Sequence, residues 1–240
     1  MKNSPLIIYG KHAAVAVLQN PMRKIKRVLV TKNTKEELGE KILSPIKNLQ
    51  LTEPKKLDDM LPREAVHQGI AVECDPLEQP SLQEWLKTGN DKSVMILDQV
   101  SDPHNVGAIL RSGAAFDVGA LIVTDRNAPA ESGVMAKSAS GALEIVPLIA
   151  VGNLVQAIEL LKKNGYWIYG LDGEAKQAIN EIKMDRKSAL VLGAEGRGLR
   201  RLTGEHCDIL MRLPISEKME SLNVSNAAAI ALYELYRKNS

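Results

Sequence analysis

Three polar segments in the second half of the chain carry residue types that could bind a ligand and support a reaction. The first, residues 97–111, begins at the end of an apolar run and contains Asn105 and Arg111. Arg111 has mainly small and apolar neighbours, and a buried arginine needs a carboxylate, carbonyl groups or a ligand phosphate as its partner. Two interpretations stay open: an internal ion pair with Asp98 or Asp102, or a contact with a bound phosphate.

The second segment, residues 189–199, is glycine-rich and reads ALVLGAEGRGL. Gly193, Gly196 and Gly198 surround Glu195, and glycines allow the backbone to approach a ligand closely. Their spacing matches neither the dinucleotide motif GxGxxG nor the phosphate motif GxxxxGK[ST], so neither of these sites is predicted. A tight turn after a strand would explain the glycines. It would not explain the carboxylate of Glu195, which indicates a ligand site.

The third segment, residues 213–238, runs from the end of a predicted strand into the last predicted helix, at about residues 223–237. It holds Ser221, Asn223, Ser225 and Asn226, of which one suffices to cap the helix. The others are either alternative caps or ligand contacts.

These segments need a scaffold, and the apolar pattern predicts one. Short apolar runs alternate with helix-like segments, which indicates an α/β fold with a mainly parallel sheet; the runs are 94–97, 121–123, 145–148, 167–169, 190–192 and 209–213. The preceding part has predicted strands at 27–31 and 69–74 and a helix at 35–47. Residues 75–91 contain two prolines and no apolar strand. We therefore expect a small α/β domain at 1–76, a linker at 77–92 and a larger domain at 93–240.

The amino-acid composition excludes several classes of protein. The chain has 240 residues, 45% hydrophobic and 25% charged, as expected for a globular protein. Aromatic residues make up only 3%, which argues against a surface that stacks single-stranded bases. The chain has only two cysteines, which predicts a cytoplasmic protein. It has no apolar run long enough to span a membrane, so we expect no membrane segment. Its four histidines do not have the spacing of metal ligands, so we expect no metal.

Positive charge is concentrated in the first part of the chain. Residues 1–80 hold 13 Lys and Arg against 10 Asp and Glu, whereas residues 81–240 hold 18 against 19. Arg23, Lys24, Lys26 and Arg27 lie within five positions. This cluster is either a solvated turn or a patch that contacts RNA phosphates.

The three segments together resemble the motifs of a known family. DPHNVGAILR, LGAEGRGL and the pair LPI and SLNVSNAAA, in this order, are similar to the three motifs of the SpoU class of SPOUT RNA 2′-O-ribose methyltransferases, the TrmH family. The run GAEGRGLRRLTGEHCD and VHQG at 66–69 resemble the bacterial members that methylate a guanosine of 23S ribosomal RNA. The similarity covers nearly the whole chain and is strongest from residue 94.

The resemblance implies more than the residues do alone. It implies a SPOUT domain with a deep trefoil knot, an N-terminal L30e-like domain that recognises RNA, and a homodimer in which the partner completes each active site. Arg111, Asn105 and Glu195 would be catalytic. S-adenosylmethionine (SAM) would be the cofactor, bound by a set of residues in the second and third segments: Gly193, Gly196, Leu213, Ile215, Ser221, Leu222 and Asn223. The loop 216–220 is more charged than is usual in the family, which leaves its cofactor contacts open.

Two alternatives remain. One is a tRNA ribose methyltransferase of the same class, against which the N-terminal extension argues. The other is a non-catalytic RNA-binding protein that assists ribosome assembly. Such a protein would not need Asn105, Arg111 and Glu195, and all three are present, which favours the enzyme.

Overall fold

A computed structural model describes residues 6–126 and 129–239. The first part forms a four-stranded sheet in the order β1-β4-β2-β3. In this sheet β4 is antiparallel to β1 and β2, and β2 is parallel to β3. Its elements are β1 (Leu6–Tyr9), α1 (Lys11–Gln19), β2 (Ile25–Val30), α2 (Lys32–Leu43), β3 (Leu49–Leu51), α3 (Pro54–Met60) and β4 (Ile70–Cys74).

The second part forms a seven-stranded sheet in the order β7-β6-β5-β10-β8-β11-β9, in which all neighbouring strands are parallel. Its elements are α4 (Leu82–Lys87), β5 (Val94–Asp98), α5 (Pro103–Ala115), β6 (Ala120–Thr124), α6 (Gly133–Ala139), β7 (Leu148–Val151), α7 (Leu154–Lys163), β8 (Trp167–Leu171), β9 (Gln177–Ala178), β10 (Ser188–Gly193), α8 (Arg201–Glu205), β11 (Ile209–Arg212) and α9 (Val224–Asn239). The predicted α/β class with a mainly parallel sheet is confirmed, and the trefoil knot stays a prediction.

The central strands of this sheet are buried on both faces, which explains their continuous apolar runs. Alternate residues of β5 point to opposite sides. Met95 and Leu97 pack in the core formed with α5, α6 and α9, whereas Val94 and Ile96 pack with α4 and α7. The period-two alternation of a strand thus divides one apolar run between two layers of helices.

Two predicted elements are misplaced. The strand expected at 145–148 begins only at Leu148. Ile145 instead ends a short 3-10 turn and is 72% exposed, and Pro147, which has no N–H for a sheet ladder, separates the two. The helix expected at 35–47 spans Lys32–Leu43 and is interrupted at Gly39, whose φ of 73° is not helical.

The two sheets are joined by a packed interface. Helix α6 lies against β1 so closely that a Cβ on Gly133 would stand 2.4 Å from the carbonyl oxygen of Ile7. Side chains from both parts, Ile8 and Met135 among them, belong to one buried apolar cluster. The expected linker 77–92 contains α4, which Ser81 and Glu84 start with a capping box. The division into two domains stays a prediction, and the structure adds that the two parts share a core.

None of the helices in residues 6–126 and 129–239 is long and apolar enough to cross a membrane.

Candidate active site

The three sequence segments meet at one edge of the seven-stranded sheet. Strands β5, β10, β8 and β11 are consecutive neighbours in this sheet and run parallel, so the loops that follow them leave from the same edge. In open α/β sheets, ligands bind at this carboxyl edge. The loop after β5 carries the first segment, that after β10 the second, and that after β11 the third.

The glycine-rich loop after β10 is a compact turn. The amides of Arg197 and Gly198 both donate to the carbonyl oxygen of Ala194, at 3.3 and 2.9 Å. Gly196 and Gly198 have φ values of +78° and +63°, in the left-handed region that favours glycine. A Cβ on Gly193 would lie 2.0 Å from the backbone of Gly198. Glycine is therefore required at 193 by the turn itself, before any ligand is considered.

Asp98 connects the first segment to the residues just after the second segment by hydrogen bonds. Its buried carboxylate accepts hydrogen bonds from the backbone N of Arg200 at 3.0 Å and from Nε of Arg200 at 2.6 Å. Asp102, the other proposed partner of Arg111, caps α5 by accepting from the amide of His104 at 3.0 Å. Both carboxylates therefore have other roles.

Arg111 lies on the exposed surface of α5. Among the residues that the structure describes, it has neither an ion pair nor a hydrogen bond. The internal ion-pair interpretation is therefore wrong. An exposed guanidinium without an internal partner is available to a ligand phosphate or to a second protein chain.

The first and third segments are joined by a hydrogen bond. Nδ2 of Asn223 donates to Oδ1 of Asn105 at 3.1 Å. The other end of Asn223 accepts from the backbone N and from Oγ of Ser225, at 3.0 and 2.6 Å. Asn223 is thus both the cap of α9 and the support of Asn105, so the polar surplus before α9 has a structural purpose in part.

A cavity of about 240 Å³ lies between the second and third segments. Six of the seven residues expected to bind a cofactor line it, together with Glu195; the six are Gly193, Gly196, Leu213, Ile215, Ser221 and Leu222. Asn223 is next to the lining residue Val224 but does not itself line the cavity.

The structure adds a segment that sequence reasoning missed. Leu171, Asp172 and Gly173, at the end of β8, also line this cavity. Strand β8 lies between β10 and β11 in the sheet, so its end necessarily lies between the second and third segments. The signal in the sequence was an apolar run followed by Asp-Gly, the same strand-to-loop pattern that marks the other segments.

The cavity has a mixed apolar and acidic lining. Its lining contains three carboxylates, Asp172, Glu195 and Glu220, and within the described ranges no lysine or arginine. Glu220 belongs to the charged loop 216–220, and this places one acidic residue of that loop at the cavity. Apolar walls with carboxylates favour a ligand that has both an apolar surface and a positive charge.

The basic cluster near the N-terminus is not a uniform surface patch. The side chain of Arg23 is fully buried and forms ion pairs with Glu131 and Glu144. Burial opposes its charge, but hydrogen bonds to these two carboxylates outweigh this and raise the pKa of the guanidinium above its usual range. The assignment of Arg23 to RNA binding is therefore wrong, because the side chain cannot reach a solvent-side phosphate.

The other three cations of the cluster remain accessible, each with an acidic neighbour. Lys24 pairs with Glu78 at 3.1 Å, Lys26 with Asp75 at 2.5 Å and Arg27 with Glu73 at 2.7 Å. The exposed pairs of Lys24 and Lys26 are weak and can exchange partners, whereas the pair of Arg27 is partly buried, with Glu73 only 17% exposed. RNA contacts by Lys24, Lys26 and Arg27 stay a prediction.

The two cysteines and the possible metal ligands are further reactive groups within the described residues. Burial raises the pKa of Cys207 to about 12 and that of Cys74 to about 11, so neither thiol is a nucleophile at neutral pH. In the part of the chain that the structure covers, no three His, Cys, Asp or Glu side chains are grouped as a metal site.

Two family models match the chain. Residues 92–233 match the SpoU rRNA Methylase family, and residues 7–80 match the model for RNA 2′-O ribose methyltransferase substrate binding. The first match contains all three segments of the candidate site.

Similar proteins agree with these models. The 23S rRNA (guanosine-2′-O-)-methyltransferase RlmB of Escherichia coli K12 is 37% identical over 241 residues, covering 98% of this chain and 99% of the relative. RlmB of Coxiella burnetii is 39% identical over 242 residues, covering 96% and 95%. The crystal structure of the SpoU methyltransferase AviRb from Streptomyces viridochromogenes with AdoMet has a TM-score of 0.79 at 18% identity, covering 98% of this chain and 90% of AviRb, which shows a shared fold. The family model spans more than half of the chain and the relatives match nearly all of it, so the chain belongs to the SpoU rRNA methylase family.

Proposed function

We propose that this protein transfers a methyl group from SAM to the ribose 2′-hydroxyl of a guanosine in 23S ribosomal RNA. The observation that carries the proposal is the junction of the three segments, where Asn105 is hydrogen-bonded to Asn223 beside a cavity lined by Glu195. The names of the E. coli and Coxiella relatives support the substrate and the reaction.

The cavity suits SAM in its chemistry. SAM combines an adenine ring with a positively charged sulfonium and an amino group, and it supplies an already activated methyl group when bound. Leu213 and Leu222 would contact the adenine, while Glu195 and Asp172 would offset the positive charge. Opposite charges at short distance in a partly enclosed site attract more strongly than they do in water.

Asn105 and Arg111 would act on the RNA. Because Oδ1 of Asn105 accepts from Asn223, its Nδ2 group is oriented and can donate to an oxygen of the target nucleotide. Arg111 would clamp a phosphate through its planar fork and so align the 2′-hydroxyl with the methyl group. A guanidinium retains its proton at neutral pH, so the hydroxyl proton would leave late in the transfer, to phosphate or water.

The proposal includes the two-domain division and a homodimer. Ile230 and Tyr233 on α9 are 44% and 53% exposed, although the opposite side of α9 is buried against α5. A helix with apolar residues on more than one side is usually covered on more than one side. Since Arg111 lies on α5, an interface at α5 and α9 would bring the arginine close to the partner chain. The first part, residues 1–76, would recognise the RNA.

The direct test is methylation of isolated RNA. The protein is incubated with labelled SAM and, separately, with 23S rRNA, 16S rRNA and tRNA, all from cells that lack the gene. We expect label only in 23S rRNA, at a guanosine whose 3′ phosphodiester bond becomes resistant to alkali. Asn105→Ala serves as the inactive control. Label in tRNA alone would overturn the proposed substrate, and label in none of the RNAs would favour the non-catalytic alternative.

A further inference from the structure

A second cavity opens at the same edge of the seven-stranded sheet. It has a volume of about 740 Å³ and lies between the end of β6, the start of α7 and helix α8. We name it the arginine cavity, because its lining includes Arg126, Arg200 and Arg201; Thr124 and His206 also line it.

The charge of the arginine cavity is opposite to that of the first cavity. Its lining has three arginines and, within the described residues, no aspartate or glutamate. Arg126 has no ion pair with any residue of the described ranges. Nε of Arg200 donates a hydrogen bond to Asp98 at 2.6 Å, so the two terminal nitrogens of Arg200 can donate to another acceptor. Arg201 pairs with Glu205 at 2.6 Å, but its side chain is 77% exposed, so this pair is weak.

Two further features of the arginine cavity favour an anion. Thr124 is only 8% exposed, and its Oγ1 has no hydrogen-bond partner among the described residues. A buried hydroxyl without a partner is unfavourable unless a ligand or a water satisfies it. The first turn of α7, capped by Asn153, also lines the cavity, and the amides at the start of a helix attract negative charge.

The sheet order places the strand end that lines the arginine cavity next to the strand end that leads to Asn105, although α7 and α5 pack on opposite faces of the sheet. Strand β5, whose following loop leads to Asn105 at the start of α5, has β6 on one side and β10 on the other. The first cavity, which is proposed to bind SAM, lies on the β10 side, and the arginine cavity lies on the β6 side. Neighbouring strands are about 4.8 Å apart, so the end of β6 is one strand spacing from the end of β5. The bond from Asp98 to Arg200 connects the two sides.

We propose that the arginine cavity binds a phosphodiester group of the substrate RNA beside the methylated nucleotide. This inference rests on the proposed function, since it assumes that the target ribose lies at Asn105. Arg126 and the terminal nitrogens of Arg200 donate to phosphate oxygens, and Thr124 donates its unused hydroxyl. Arg201, whose pair with Glu205 is exposed and weak, adds positive charge beside them. Arginine suits this role because its planar fork matches two oxygens of a phosphate.

The test measures RNA binding rather than methyl transfer. Arg126→Gln and the double variant Arg126→Gln/Arg201→Gln are titrated against transcribed 23S rRNA at several salt concentrations, by filter binding. Arg186→Gln is the matched control: Arg186 is a 61% exposed arginine just before β10, at the amino edge of the same sheet. Calorimetry with SAM on each variant checks that the cofactor cavity is intact.

We expect Arg126→Gln to weaken RNA binding about tenfold at moderate salt, as is typical when one charged hydrogen bond is removed. The slope of log affinity against log salt concentration should fall by about 0.7–0.9 for each phosphate that the variant no longer neutralises. The double variant should bind more weakly still, while Arg186→Gln should retain nearly full affinity and all variants should bind SAM normally. Equal reductions for Arg126→Gln and Arg186→Gln, or unchanged affinity and slope in the double variant, would overturn the inference.

The outcome is independent of the methylation assay. If the wild-type protein methylates 23S rRNA and the arginine variants bind RNA normally, the phosphate site is wrong and the proposed function stands. If the variants lose affinity but the wild-type protein methylates only tRNA, the proposed substrate is wrong, whereas the cavity still contacts phosphates. A wild-type protein without measurable RNA affinity would overturn the phosphate site.

Discussion

The buried ion cluster between the two sheets makes a strong prediction about stability. Replacing Arg23 with methionine keeps a long, flexible side chain but removes the charge. In the structure, Arg23 donates to Glu144 from Nη2 at 2.6 Å and from Nε at 2.9 Å, contacts Glu131, and donates from Nη1 to the carbonyl oxygen of Asp75 at 3.0 Å. The Arg23→Met variant therefore leaves two carboxylates without their counter-ion.

The size of the effect follows from burial. The side chains of Glu131 and Glu144 are only 11% and 5% exposed. Removing one partner of a buried ion pair costs about 3–5 kcal/mol, because the remaining charge stays desolvated. Glu144 keeps a hydrogen bond from Asn20 at 2.7 Å, and Glu131 one from the amide of Leu77 at 3.0 Å, so we expect the lower end, about 3 kcal/mol. That is a large part of the ~5–15 kcal/mol that stabilises a typical protein.

Urea unfolding followed by circular dichroism measures this loss. The neighbouring variant Lys24→Met is the control, since Lys24 and Glu78 are 72% and 90% exposed and their pair should contribute less than about 1 kcal/mol. The double variant Arg23→Met/Glu144→Gln removes one stranded charge and should recover part of the loss. If Arg23→Met unfolds at the same urea concentration as Lys24→Met, the cluster does not stabilise the interface and our reasoning is refuted.

Three further predictions concern the site and the assembly. Arg111→Ala should reduce methyl transfer by orders of magnitude. Its thermal stability and SAM affinity should change little, because the side chain of Arg111 is exposed and has no partner in the described ranges. Arg111→Lys should also be impaired in methyl transfer, since lysine lacks the planar fork of arginine. Near-normal turnover of the lysine variant would show that charge alone suffices. Gly193→Ala should weaken SAM binding at least tenfold in calorimetry, because its Cβ would displace the turn at Gly198, whereas Gly204→Ala, with no atom within 4 Å of the new Cβ, should bind normally. Ile230→Glu should shift the protein from dimer to monomer in sedimentation, and a wild-type protein that is monomeric and fully active would contradict the proposed dimer.

The sequence predicted the central sheet well because its signals are local. Strands β5, β6 and β10 are short apolar runs between polar segments, and burial on both faces requires such runs. The small sheet was harder, since β3 has only three residues, all partly or fully exposed, and its alternation of Leu, Gln and Leu is too short to predict a strand. The segments that hold Asn105, Glu195 and Asn223 were also recognisable, because each follows an apolar run.

The role of Arg23 could not be read from the sequence. Its acidic partners Glu131 and Glu144 lie more than a hundred residues away, so nothing near Arg23 distinguishes it from Lys24 or Arg27. Asp172 was not predicted as a site residue for a related reason. It lines the cavity proposed for SAM only because β8 lies between β10 and β11, and this order of strands is not the order along the chain.

The carboxyl edge of the large sheet separates charge in a way that fits the proposed reaction. On one side of the loop that follows β5, the cavity lining has three carboxylates; on the other side, it has three arginines. The proposed methyl donor is a cation and the proposed acceptor a polyanion, so each is attracted to a different side. Asn105, in the first turn of α5, follows the loop between them, where the proposed donor methyl and acceptor hydroxyl would meet. The same separation would keep the RNA phosphates away from the carboxylates that line the cavity proposed for SAM, since like charges at short range repel.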